Sequence, residues 1–93
     1  MSESSNPRFN GDEKAYWKWK RQREKLSKQI VLRLGGEGNS GGWIVLHGKP
    51  ICKGWWKWAI ICVERGWILD GDGHYDASIL SINWEKVLKD NAQ

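Results

Sequence analysis

The chain has no run of about 18 apolar residues, the least a helix needs to cross a bilayer, so no membrane span is expected. Its opening, MSESSNPRFNGDE, lacks the basic-then-apolar layout of a secretory leader and the Met-Gly of a myristoylation site. The expectation is a cytoplasmic protein, or one of host cytoplasm or nucleus if the source is viral. Cysteine is scarce: Cys52 and Cys62 stand alone, in apolar surroundings. In a reducing compartment they read as buried free thiols that pack as small hydrophobes, with a disulfide between them as the alternative and a metal-binding pair after that. Internal repeats are missing, and the one compositionally biased stretch is GGEGNSGG at 35–42, with five Gly in eight residues.

Missing ligand spacings exclude several chemistries. His47, Cys52, Cys62 and His74 contain no C-x2-C or H-x3-H pair that would pre-form half a zinc site. Asp70, Asp72, His74 and Asp76 alternate like calcium ligands, but the EF-hand register fails, with Tyr75 at the sixth position and Ser81 at the twelfth. Gly36-Glu37-Gly38-Asn39-Ser40-Gly41 matches G-x-G-x-x-G, yet WIVLHGKP follows where a phosphate site needs a helix to open. A Walker loop would need Lys-Ser/Thr where the chain has Gly42-Trp43. A thiol within WAIICV is buried and inert rather than nucleophilic. No metal, no cofactor and no enzymatic activity are expected.

What is present is tryptophan and a divided charge. Eight Trp in 93 residues supply much of the core, because each aromatic hides roughly 150–250 Å². Four of them lie in GWWKWAIICVERGWIL, 54–69. Net charge is +4, but residues 10–34 carry eight Lys/Arg against Asp12, Glu13 and Glu24. Residues 43–63 add Lys49, Lys53 and Lys57 with no acid, and 64–93 hold six acids against three bases. The front of the chain is basic and the back acidic.

The pattern predicts a helix from about Asp12, capped by Asn10 or Asp12, after a flexible tail at 1–11. Lys14, Lys18, Arg21, Lys25 and Lys28 are spaced 4, 3, 4 and 3, which places them along one line of that helix. Tyr16, Trp19, Leu26, Ile30 and Leu34 fall opposite. Residues 29–34 suit either the end of this helix or a strand, and the Gly-rich stretch reads as a flexible loop. GWIVLH is a strand or short buried element, and Gly48 to Pro50 a turn. Residues 54–65 suit either a helix or a core strand, since Trp, Ile and Val favour sheets. The helix fits the better, with Trp55, Trp56, Ala59, Cys62 and Val63 on one side and Lys57 and Glu64 on the other, bounded by Gly54 and Gly66. At least one of Trp55, Trp56 and Trp58 should stay partly exposed. WIL at 67–69 and SILSI at 78–82 predict a hairpin around DGDGHYDA, and NWEKVLKDN a short helix capped by Asn83.

The expected fold is a small single α+β domain, 12–93. An N-terminal basic amphipathic helix packs on a Trp-rich core, followed by a C-terminal β-hairpin and a short helix. The element order has a winged-helix-like outline; a mixed β-meander with one helix fits the same string. The functional expectation is a non-enzymatic nucleic-acid-binding protein, DNA or RNA. Lys14, Lys18, Arg21, Lys25 and Lys28 would neutralise phosphates beside a stacking Trp17, with Lys53 and Lys57 as a second basic group. The alternative is a small accessory protein, of viral, phage or plasmid type, that binds a partner protein through Trp and Arg anchors. Adsorption to an anionic membrane surface is disfavoured, because Arg23 interrupts the apolar face of the helix.

Overall fold

A computed structural model describes residues 13–70 and 77–92. The fold is α+β: among the described residues there are three helices and two small antiparallel sheets. Helix α1 spans Glu13–Arg33, with Glu13 in the first turn and Arg33 in the last, both complementing the helix dipole. It runs on through residues 29–33 as helix rather than strand, because Ile30 and Val31 are both buried on its core side. Its end is a Schellman motif: Gly36 N–H donates to Val31 O and Gly35 N–H to Leu32 O, with Gly35 at φ 79°.

Strands β1 (Glu37–Gly38), β2 (Trp43–Leu46) and β3 (Lys49–Lys53) then form a meander of order β1-β2-β3. This corrects two expectations. The Gly-rich stretch is partly strand, and its turn is ordered by Asn39, whose Oδ1 accepts from the backbone N–H of Gly41 (2.9 Å) and Trp43 (3.0 Å). The tight turn is His47–Gly48 instead of Gly48–Pro50. Both residues have positive φ (53° and 78°), the conformation that matches the twist of a two-residue hairpin. Pro50 sits within β3, which is tolerable because β3 is an edge strand. The winged-helix outline allotted one short element to the space between the first two helices; the chain builds a three-stranded sheet there.

Helix α2 (Trp55–Glu64) follows Gly54 and ends in a second Schellman motif, with Gly66 N–H on Val63 O and Trp67 N–H on Cys62 O. Residues 54–65 are helix, with Lys57 and Glu64 facing water as expected. The buried side is Trp58, Ala59 and Cys62 rather than one centred on Trp55, Trp56 and Val63, because the helix is rotated to place the Trp58 indole against α1. Trp55 and Trp56 are half-buried. β4 (Ile68–Leu69) pairs with β5 (Ser81–Ile82) through Ile68↔Ile82 and Leu69↔Ser81. The first half of the expected second strand is instead a 3-10 turn, Ala77–Ile79. Helix α3 (Trp84–Asp90) is capped as expected, Asn83 Oδ1 accepting from Lys86 N–H at 3.3 Å. The alternative with a single helix is not realised. The tail at 1–11 and the turn residues Asp72, His74 and Asp76 lie outside the described residues.

The core gathers Leu26, Ile30 and Val31 of α1, Ile44 and Leu46 of β2, Cys52, Trp58, Cys62, Trp67, Ile68, Leu80 and Val87. Trp58 and Trp67 meet edge-to-face at 5.9 Å, the arrangement that opposes ring edge and face charge. Burying these two indoles requires partners for their N–H groups. Trp58 donates to Ser27 O (3.0 Å) and Trp67 to Asp90 (2.8 Å).

Candidate nucleic-acid interface

The core decides which way α1 faces. With Trp19, Leu26 and Ile30 turned inward, 100° per residue sends Lys14, Lys18, Arg21, Lys25 and Lys28 outward, and all five are exposed. Between Lys14 and Lys28 the helix advances about 21 Å, so the cations recur every ~5 Å. Between described residues the ion pairs are Arg23–Asp70 and Lys86–Asp90, neither on this line. Beside the line stands Trp17, 46% exposed.

Trp17 is held by an alternating stack of rings and cations. Lys20 Nζ lies 5.0 Å from the Trp17 ring centre and 4.9 Å from that of Trp56. The Arg23 guanidinium is 5.2 Å from Trp56 and 4.1 Å from Trp19. The sequence Trp17, Lys20, Trp56, Arg23, Trp19 thus runs from solvent into the core. Tyr16 braces it, edge-on to Trp17 at 5.3 Å. Each cation–ring contact is worth about 0.5–2 kcal/mol, rising with desolvation.

At the inner end Asp70 fastens the stack. It accepts from Trp19 Nε1 at 3.0 Å, and its other oxygen lies 3.9 Å from Arg23 Nη2. Arg23, a charged interruption of the apolar face by sequence, is 7% exposed. A guanidinium spreads its charge over a plane and stacks on indoles, so it occupies an apolar face once a carboxylate reaches it. Its position directly opposite the cationic line, one turn from Trp19 and Leu26, was the available signal. Asp70, 51 residues from Trp19, gave none.

Lys53 and Lys57 are also exposed, but they do not extend the same line. Lys53 ends β3, opposite Trp43 in the register, with its stem lying over Gly42. Lys57 occupies the first turn of α2. The link between the two basic groups is Lys28, whose Nζ lies 5.2 Å from the Trp55 ring at the start of α2.

The remaining candidates have other employment. In the Gly-rich turn, the N–H groups of Asn39, Gly41, Gly42 and Trp43 all donate within the turn, so they do not form a phosphate cradle. Cys52 and Cys62 are buried free thiols, and burial pushes the Cys62 thiol up to about 12, far from a reactive thiolate. Among the described residues no three His, Cys, Asp or Glu gather around a potential metal position, and no helix is long and apolar enough to cross a membrane. No family model, curated protein or solved structure matches the chain.

Proposed function

We propose that this is a non-enzymatic nucleic-acid-binding protein. The observation that carries the reading is the outward row Lys14, Lys18, Arg21, Lys25 and Lys28, with the half-exposed Trp17 at its edge. Five cations in line on a rigid helix present fixed positive charge to a phosphate backbone, and binding releases the counterions condensed on it. Lys53 and Lys57 add charge beyond the Lys28–Trp55 contact and would meet a longer ligand. A cytoplasmic or nuclear setting goes with such a ligand.

The test is a titration into labelled DNA and RNA oligonucleotides. About five phosphate contacts predict that affinity falls a hundredfold or more between 50 and 200 mM salt. Reversing Lys18, Arg21 and Lys25 to Glu should abolish binding while the circular-dichroism spectrum stays native, since all three side chains are exposed. Unchanged affinity in the triple variant would refute the assignment.

A second reading, a partner-protein-binding accessory factor, draws on the acidic half. Trp84 and Leu88 stand four apart on one face of α3, both partly exposed, and Leu69 and Ile79 are also exposed. Aromatic anchors of this kind carry protein interfaces. If no nucleic acid binds at low salt, Trp84 is the residue to substitute in a search for that partner.

A further inference from the structure

An open depression of about 630 Å³ is lined by Glu13, Lys14, Trp17, Lys18 and Arg21. Three cations face one carboxylate there, so the depression favours an anion. Lys20 takes no part in the lining. At 100° per residue it projects beyond Trp17 on the side away from the cationic line, toward Trp56. The Trp17 indole is thus contacted by Lys20 and also lines the depression beside Lys14, Lys18 and Arg21.

We infer that the ligand is single-stranded nucleic acid, one base of which stacks on the half-exposed indole of Trp17 while its neighbouring phosphates meet Lys14, Lys18 and Arg21. This rests on the nucleic-acid reading above and adds the strand form. Bases inside a duplex already have both faces covered by their neighbours, so an indole face reaches only an unstacked base. The row of cations points the same way. A duplex strand winds once round its axis in about 34–36 Å and curves away from a straight line well within the ~21 Å from Lys14 to Lys28. A single strand can lie straight along it. The Lys20 and Tyr16 contacts hold the indole in place before the base arrives, which reduces the ordering cost of stacking.

The experiment compares a labelled 15-nucleotide mixed-sequence single strand with the blunt duplex of the same sequence at 50 mM salt. It uses the unaltered protein, Trp17→Ala, Trp17→Phe and the Lys18, Arg21, Lys25 charge reversal. The single strand should bind at least tenfold more tightly than the duplex. Trp17→Ala should cost roughly tenfold for the single strand and less than twofold for the duplex, while Trp17→Phe, which keeps an aromatic face, retains most of the affinity. Duplex binding as tight as single-strand binding, or a Trp17→Ala loss equal for both probes or absent, overturns the single-strand assignment. In that case the charge reversal still abolishing binding leaves the cationic face standing. Failure of both probes to bind the unaltered protein overturns both readings.

Discussion

The buried indoles of Trp19, Trp58 and Trp67 each give their Nε1–H to an acceptor from a distant part of the chain: Asp70, the Ser27 carbonyl and Asp90. An aromatic of this size supplies large apolar burial only if its one polar atom is satisfied, so these acceptors decide which Trp can go inside. Trp58 is fully buried, bonded to the Ser27 carbonyl of α1 and packed against Trp67. Trp58→Ala should cost about 3–5 kcal/mol in urea denaturation. Trp58→Phe should cost clearly less, since it keeps most of the volume and loses the hydrogen bond. Equal costs for the two would mean that the hydrogen bond outweighs the packing. The run GWWKWAIICVERGWIL announced a core, but which of its indoles is innermost was not readable, because Trp55, Trp56 and Trp58 alternate around a helix that could be rotated. The Ser27 carbonyl, on another helix, settles the rotation.

At the scale of elements, helices were the most legible. Periodicity alone placed Trp19, Leu26 and Ile30 against Lys14, Lys18 and Arg21 on α1, and glycines closed α1 and α2 where Schellman geometry requires them. The sheet was hard to see. β1 is two residues long, and its pairing is enforced by proximity to α1 and β2. A Cβ built on Gly36 would come within 2.5 Å of both Leu46 Cδ2 and the Val45 carbonyl oxygen, the second of which is backbone and cannot move cheaply. Gly36→Ala should therefore push β1 away from β2 and destabilise the fold. Gly48→Ala, with nothing within 4 Å, should cost only the strain of a positive φ, about 1–2 kcal/mol. Thermal melts of the two variants make the comparison. A Gly36→Ala melting point equal to or above that of Gly48→Ala would show that the α1–β1 junction yields easily. The Gly-rich composition suggested mobility, whereas here some of the glycines mark tight packing.

For the whole molecule, two acids from the rear of the chain tie it to the front and to itself. Asp70, directly after β4, is joined to α1, and Asp90 joins α3 to Trp67. The Asp90 carboxyl is held below its ordinary value by hydrogen bonds from Lys86 (2.8 Å) and then Trp67. A folded-state value below the unfolded one means that the stabilisation is present above the ordinary aspartate range. It is lost as pH falls through the lowered folded value. Urea midpoints measured from pH 7 downward should decline on the acid side, and Asp90→Asn should flatten part of that decline. An unaltered acid limb in the variant would show that Asp90 adds nothing to the docking of α3. The charge division read along the chain thus has two structural consequences: acids at the rear fasten indoles, and the line from Lys14 to Lys28 at the front stays in water.

The sequence by itself determined the α+β class, the amphipathic orientation of α1, the exposure of its cationic line and the exclusion of a membrane-spanning helix. These follow from local periodicity and composition, which act within one element. Only the tertiary structure decided that Arg23 is buried, that Lys20 lies between Trp17 and Trp56, and that residues 37–53 close into a sheet. Each of those depends on a group many residues away, Asp70, Trp56 or the facing strand. A single side chain's pattern cannot report whether a distant partner arrives to offset its desolvation.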